Sequence, residues 1–232
     1  LWNTPPEPAP NNYFDWTHIN AFYFNNADSS IYISTRNLSR ITKIKYPSGE
    51  VIWNMGREMP SGDVDFGYDL GFSHQHSISL LDNGNILIFD NGKYSLEYWG
   101  ALGGSDPLSR VLEIEISNGQ YLANIFWEYI LPPELFGSDA GNVQKLSNGN
   151  YLITTMGKDV HGASIEVTQN KDYVWRVNYD TYAMWRASRI PSSIYTDITL
   201  ECDVSDIPEG YCDCNGNVLD ECGVCSGTGP EE

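Results

Sequence analysis

The chain has 232 residues, and its 31 acidic side chains outnumber its 13 basic ones, which gives a formal net charge of −18. Partners held through phosphate contacts, such as nucleic acids and anionic membrane surfaces, need clustered Lys and Arg, so this balance argues against both. No stretch approaches the roughly 18 consecutive apolar residues of a membrane-spanning helix. Hydrophobic residues make up 41% of the chain and aromatic residues 13%, which is enough material for a packed core.

The cysteines and the charge are unevenly distributed along the chain. All five cysteines lie in the last 32 residues, together with nine of the acidic residues and no Lys or Arg. This change of composition predicts three segments. They are a Pro-rich leader at 1–12, a large domain at 13–198, and a Cys- and Asp-rich extracellular repeat or spacer at 199–232.

Short β-strands dominate the predicted secondary structure of the large domain. Three runs are rich in β-branched and aromatic residues: 31–34, 86–89 and 151–154. Near-identical turns, LDNGN at 81–85 and LSNGN at 146–150, precede the second and third runs, and Asn-Gly predicts a two-residue hairpin turn in which both residues have positive φ. No window shows a sustained 3.6-residue period, so helices are expected to be short or absent.

The strand-like runs belong to an internal repeat. Each of three units, at about 13–56, 72–130 and 140–180, contains four predicted strands and ends near a tryptophan. Four strands per unit predict an all-β chain that forms blades of a β-propeller. Because closed propellers need about four to eight blades, we expect further blades or a second copy of the chain to complete the ring. An antiparallel β-sandwich with similar hairpins is the alternative.

Four histidines are the candidate chemical groups: His18, His74, His76 and His161. Each lies at the start of a unit or in a turn that leads to a strand. The inner strands of a propeller line one channel, so histidines from different blades can meet there. Histidine suits proton transfer and nucleophilic attack near neutral pH. The alternatives are structural histidines, or a metal pair formed by His74 and His76.

The Cys-rich segment is predicted to be a disulfide-stapled module of an oxidising compartment. A zinc site that includes Cys222 and Cys225 is a competing interpretation. Alternating oxygen-bearing side chains in the same segment are of the kind that Ca²⁺ prefers. The candidate calcium ligands are Asp213, Asn215, Asn217 and Asp220. An acidic spacer without calcium is the alternative.

Several short motifs resemble the arylsulfate sulfotransferase family. They follow one another in order across about 13–195: DWTHIN at 15–20, QH at 75–76, LDNGN at 81–85, FDNG at 89–92, SR at 109–110, WEY at 127–129 and WRASRI at 185–190. The Cys-rich segment is similar to repeats of large extracellular bacterial proteins.

The resemblance implies a secreted or periplasmic propeller of about six blades. Such a protein moves a sulfuryl group from a phenolic sulfate ester to a phenol through a sulfated histidine, without a nucleotide donor or any other cofactor for the chemistry. It implies that His18 and His76 bind the sulfuryl oxygens and that His161 is the nucleophile. Lys93 takes the place of a family arginine that follows FDNG, and Arg36 adds positive charge to the channel.

Two departures from the family pattern favour an alternative function. The ammonium of Lys93 cannot reproduce the bidentate fork of an arginine, and Asn37 replaces a family histidine. A catalytically inactive propeller that serves as an extracellular adhesion or assembly module is therefore the second hypothesis. The expected partners are a phenolic sulfate donor and a phenol acceptor in the first case, and self-association or the remaining propeller half in either case.

Overall fold

The structure is a computed structural model that describes residues 15–56, 70–100, 105–117, 122–179, 185–190, 209–212, 217–220, 223 and 225–226. The chain divides into two compact units, Leu1–Arg189 and Ile190–Glu232. The predicted leader at 1–12 lies outside the described residues.

Twelve strands among the described residues form three four-stranded sheets in the first unit. The first sheet contains β1 (Ile19–Asn25), β2 (Ser30–Thr35), β3 (Arg40–Lys45) and β4 (Val51–Gly56). The second contains β5 (His76–Leu80), β6 (Ile86–Asp90), β7 (Arg110–Ser117) and β8 (Leu122–Ile130). The third contains β9 (Asn142–Lys145), β10 (Tyr151–Thr155), β11 (Ala163–Val167) and β12 (Tyr173–Asn178).

Each sheet is an antiparallel meander in which every strand pairs with the next one along the chain. The strands β1 and β5 contact each other, as do β5 and β9, so the first strands of the three sheets lie side by side. This arrangement is that of consecutive propeller blades. It confirms the all-β fold class and the three predicted four-stranded units.

The hydrophobic core lies between blades rather than within one blade. One cluster joins Trp53 and Ile41 of the first blade to Ile88 of the second. A second cluster joins the second blade to the third, where Trp127 stacks on Tyr151 with ring centroids 3.8 Å apart. Because each sheet buries its faces against neighbouring sheets, a blade depends on its neighbours for stability.

The turn before β6 differs from the predicted two-residue hairpin. Leu81 and Asn85 close the turn through a 2.8 Å backbone hydrogen bond, and Gly84 has φ of 85° whereas Asn83 has no positive φ. The side-chain oxygen of Asn83 instead accepts the backbone N–H of Asn85 at 3.0 Å. The loop between Leu81 and Asn85 is therefore longer than a two-residue hairpin turn, and of Asn83 and Gly84 only the glycine is in the left-handed region. The prediction of positive φ at both residues was wrong.

A glutamate in the third strand of the second blade binds this blade to the next one. Glu113 is buried and accepts hydrogen bonds from Asn83 and Asn85 of its own blade, at 3.0 and 2.8 Å. It also accepts hydrogen bonds from Lys145 and Tyr151 of the third blade, at 2.8 and 2.6 Å. The carboxylate therefore has partners on both sides of the blade interface.

The third blade repeats this arrangement with Glu166. Its carboxylate accepts a hydrogen bond from Asn150 of its own blade and one from Arg189, both at 2.7 Å. Arg189 belongs to the segment 185–189, which lies along β9 and is held there by hydrogen bonds between Gln144 and both backbone groups of Arg189. Arg189 thus takes the place that Lys145 has beside Glu113.

Helices are short, as the sequence predicts. The single α-helix among the described residues, α1, spans Ser95–Trp99, and 3₁₀ turns span Pro133–Leu135 and Lys158–Val160. In the part of the chain that the structure describes, no helix has the length and apolar character needed to cross a bilayer.

The second unit contains a disulfide between Cys212 and Cys225. The backbone of Cys212 donates a 2.7 Å hydrogen bond to the carbonyl of Asn217, and Leu219 forms a β-bridge with Cys225. The disulfide agrees with the predicted small stapled segment. It also corrects the zinc interpretation, because the sulfur of Cys225 is bonded to Cys212 and does not form a C-x-x-C ligand pair with Cys222.

Candidate active site

The predicted site residues of the first unit lie at one end of the three sheets. In every sheet the first and third strands begin at this end and the second and fourth strands finish there, because consecutive strands are antiparallel. We call it the histidine end, and the opposite end, which carries the turns before β2, β6 and β10, the turn end. His18 precedes β1 and His76 begins β5, while Arg36, Lys93 and His161 lie in the connections that follow β2, β6 and β10.

His76 is held through its Nδ1 by two oxygen atoms. Its Nδ1 lies 2.7 Å from the side-chain oxygen of Asn91 and 3.2 Å from the carbonyl of His74. Burial lowers the pKa of His76 below its usual 6.5, and the charge of Arg36 lowers it as well, whereas the hydrogen bond between the ring and the side-chain oxygen of Asn91 raises it. The surroundings of His76 therefore favour the neutral imidazole.

Arg36 reaches the same place from the first blade. Its guanidinium forms an ion pair with Asp139, which precedes β9 of the third blade, and donates a 2.9 Å hydrogen bond to Asn37. Burial opposes ionisation of Asp139, but a hydrogen bond from Ser138 and the charge of Arg36 outweigh it and lower the pKa of Asp139. Since the charges of Arg36 and Asp139 both act on His76, residues of three blades meet at this point.

His18 lies beside the first-blade part of the site. It has φ of 49°, and its Nδ1 forms a hydrogen bond with the carboxylate of Asp15, which also accepts the backbone N–H of His18 at 3.0 Å. Its carbonyl accepts the backbone N–H of Arg36 at 3.0 Å. Asn37 donates a 2.6 Å hydrogen bond to the carbonyl of Asp15 and so holds the turn that carries His18.

A buried ion pair supports the loop that carries Asn91. The carboxylate of Asp90 accepts a 2.8 Å hydrogen bond from the Nε of Arg110 and one from the backbone N–H of Ser73 at 2.8 Å. Burial raises the pKa of Asp90 to about 6, although the charge of Arg110 acts against this change. The guanidinium of Arg110 lies 4.0 Å from the ring of Trp99. Through these bonds the ion pair of Asp90 and Arg110 connects the segment before β5 to the end of β6, and His76 and Asn91 lie next to these segments.

The structure places two other predicted residues at the same end without bringing them into this hydrogen-bonded group. Lys93 is partly buried, two residues after Asn91. His161 is exposed, and its backbone N–H donates to the carbonyl of Lys158 at 3.2 Å. Within the described ranges, no hydrogen bond of the His161 ring occurs. The nucleophilic role of His161 and the replacement of an arginine by Lys93 stay predictions.

Three residues of the site were not singled out in the sequence analysis. Asp15 and Asn91 lie inside the motifs DWTHIN and FDNG, so these motifs contained a signal for them. Asp139 has no such signal, because its contact with Arg36 joins residues that are 103 positions apart. Arg36 was expected to add positive charge, and the ion pair with Asp139 partly neutralises that charge.

The metal predictions concern the pair His74 and His76 and the Cys-rich segment. Among the described residues, no group of three or more His, Cys, Asp or Glu side chains is placed to hold a metal ion. The ring of His74 packs edge-to-face on Tyr94 at 5.2 Å. Two of the candidate calcium ligands, Asp213 and Asn215, lie outside the described residues, while Asn217 and Asp220 lie within them. The calcium site stays a prediction.

The fold and the site together define a class of protein: a β-propeller segment in which a histidine, an arginine and an aspartate from three blades interact at one end of the sheets. The family model that matches this chain is that of the arylsulfotransferases (ASST), over residues 4–186. The chain therefore belongs to the arylsulfotransferase family.

The solved structures to which this chain has a partial likeness are distant from it in sequence. One is a protein of unknown function from Bacteroides caccae, with 15% identity and a TM-score of 0.42, where the match covers 71% of this chain and 47% of that one. Another is virginiamycin B lyase from Staphylococcus aureus, with 15% identity and a TM-score of 0.40, covering 73% and 42%. This chain thus spans less than half the length of either. No curated protein matches it.

Proposed function

We propose that this chain is part of a secreted arylsulfotransferase that moves a sulfuryl group from a phenolic sulfate ester to a phenol acceptor through a sulfohistidine. The single observation that carries the proposal is the meeting of Arg36 and His76, from different blades, at the end of the sheets that also bears His18 and His161. A guanidinium and an imidazole are suited to neutralise the oxygens of a sulfuryl group as charge develops in the transition state.

The proposed nucleophile is His161. Its exposed position in the connection after β10 leaves the ring accessible to a substrate, and a neutral imidazole nitrogen can attack sulfur while the phenolate leaves. The sulfohistidine then reacts with the acceptor phenol and regenerates the imidazole. Lys93 adds a positive charge at the same end but binds an oxyanion as a point charge rather than as a fork.

The proposal includes a partner that completes the propeller. The equivalent tryptophans Trp53 and Trp127 are 4% and 7% exposed, whereas Trp175 of the third blade is 44% exposed. The segment 185–189 lies along β9, where the inner strand of a fourth blade is expected. We infer that the remaining propeller half, or a second copy of this chain, covers this side of the third blade.

A specific observation favours a second candidate function, that of an inactive propeller used for extracellular adhesion or assembly. The carboxylate of Asp139 already pairs with Arg36, so a sulfate ester must compete with an internal anion. A location outside the cell is common to both candidates, and the disulfide between Cys212 and Cys225 supports it.

The experiment that separates the candidates uses 4-nitrophenyl sulfate as donor and phenol as acceptor. We expect release of 4-nitrophenol that depends on phenol, and a protein-bound sulfuryl group when the acceptor is omitted. His161→Ala should abolish both signals, whereas Asp159→Asn in the same connection should retain them. Full activity of His161→Ala would contradict the assigned nucleophile. Absence of both signals with the complete propeller assembled would favour the adhesive function.

A further inference from the structure

The amide of Asn91 has only one orientation that satisfies its surroundings. Its side chain is fully buried, and its Nδ2 donates hydrogen bonds to the carbonyls of Gly137 and Ala140, at 2.8 and 2.9 Å. Two carbonyl acceptors fix the nitrogen on that side. The atom that lies 2.7 Å from the Nδ1 of His76 is therefore the amide oxygen, which can only accept a hydrogen bond.

This orientation determines where His76 carries its proton. The second group near Nδ1 is the carbonyl of His74, at 3.2 Å, which is also an acceptor. With acceptors only, Nδ1 must be the donor in the neutral imidazole as well as in the imidazolium. The Nε2 of neutral His76 then bears a lone pair, and a lone pair repels a sulfate oxygen instead of binding it.

The charged groups around His76 set the conditions for protonation. The charge of Arg36, in the connection after β2, favours the neutral imidazole, whereas the charge of Asp139, before β9, favours the imidazolium. Burial also favours the neutral imidazole, and its effect on the pKa is larger than that of either charge. An anion bound at Nε2 would add a second negative charge close to the ring. Such a charge stabilises the imidazolium.

We propose that Asn91 is a positioning residue that holds neutral His76 with its proton on Nδ1, so that His76 binds a sulfate oxygen through Nε2 only after taking up a proton from solvent. This inference rests on the proposed function, because it concerns the same site. The inference goes beyond the proposed function in one respect: sulfate binding at Nε2 and protonation of His76 occur together. Above the pH at which free His76 titrates, affinity should fall about tenfold for each pH unit.

The first test is the ¹⁵N NMR spectrum of the histidine-labelled chain, with the His76 signals assigned by their loss in His76→Gln. We expect a protonated Nδ1 and an unprotonated Nε2 in the neutral state. A protonated Nε2 in that state would overturn the proposal. This measurement uses the unsubstituted protein and does not require activity.

Substitution of Asn91 tests the positioning role, with a second buried asparagine as the matched control. In Asn91→Ala the neutral ring should become a mixture of both tautomers. In Asn85→Ala, which loses a bond to Glu113 at the turn end, the His76 spectrum should be unchanged. A pure Nδ1–H tautomer in folded Asn91→Ala would show that the carbonyl of His74 suffices, and would overturn the role of Asn91. If Asn91→Ala does not fold, the unsubstituted spectrum still decides the tautomer.

The second test measures proton uptake by calorimetric titration with sodium sulfate in buffers of different ionisation enthalpy. About one proton per sulfate is expected at a pH where free His76 is neutral. His76→Gln, which retains a neutral donor, should bind without uptake. His18→Gln should keep the uptake even if it binds more weakly. Binding without uptake contradicts this inference alone, whereas absence of binding contradicts the proposed function as well.

Discussion

The two ends of the blades are built on different principles. At the turn end, Glu113 and Glu166 occupy equivalent strands and bind equivalent asparagines, Asn85 and Asn150. At the histidine end, equivalent positions differ from blade to blade: Arg36, Asn91 and Met156 each follow the second strand of their sheet. The repeated glutamates and asparagines stabilise the turn end. The side chains that differ from blade to blade form the candidate site at the histidine end.

The comparison predicts that the turn end dominates stability. Glu113→Ala leaves Lys145, Tyr151 and two asparagine amides without their buried acceptor. We expect the free energy of unfolding to fall by about 3–5 kcal/mol, the usual loss when one partner of a buried pair is removed. Urea unfolding measures it, with Glu115→Ala, exposed on the same strand, as the control. Equal stability of the two variants would contradict the role given to Glu113.

Trp127 and Trp175 occupy equivalent positions but should differ, because among the described residues only Trp127 packs against a following blade. Trp127→Ala removes a ring that stacks on Tyr151 and should cost about 3 kcal/mol. Trp175→Ala removes a half-exposed ring and should cost less than about 1 kcal/mol in this chain alone. Thermal unfolding of both variants provides the measurement. A similar loss in both would mean that Trp175 is packed as firmly as Trp127.

Asp90 should make stability depend on pH. Burial raises its folded-state pKa from 3.8 to about 6, so the folded chain binds a proton more readily than the unfolded chain between these values. The contribution of Asp90 to the free energy of unfolding is therefore greatest below about pH 4 and is lost as the pH rises through about 6. The stability difference between the unsubstituted chain and Asp90→Asn should change mainly in this window. A constant difference from pH 4 to pH 7 would contradict the raised pKa.

Asp139→Asn should have the smallest effect on stability and a visible effect on binding. The Asp139 side chain is 53% exposed, and exposed ion pairs contribute less than about 1 kcal/mol. The substitution releases Arg36 from an internal anion, so we expect tighter binding of sulfate in a calorimetric titration below the pH at which free His76 titrates, where the imidazole is protonated without help from Asp139. Asp106→Asn, which breaks the exposed pair with Lys158, is the control. Weaker sulfate binding by Asp139→Asn would show that the carboxylate supports the anion site.

The sequence predicted the repeated features better than the unique ones. The two Asn-Gly turns and the three tryptophans recur at equivalent positions, so they helped to locate the three sheets. The same turns misled the prediction of turn type, because Asn83 uses its side chain rather than a positive φ. The contacts of Asp139 with Arg36 and of Asn91 with Ala140 join different blades, and no local pattern encodes them.

The central claim is that the histidine end, and not the turn end, binds an oxyanion through Arg36 and His76. The most direct measurement is an NMR titration of the labelled chain with sodium sulfate, which follows the side-chain signals of arginine, lysine and histidine. We predict that the signals of Arg36 and His76 shift together and saturate with one dissociation constant, while that of Lys145 at the turn end does not move. Saturable shifts at Lys145 alone, or no saturable shift at Arg36 and His76, would contradict the account.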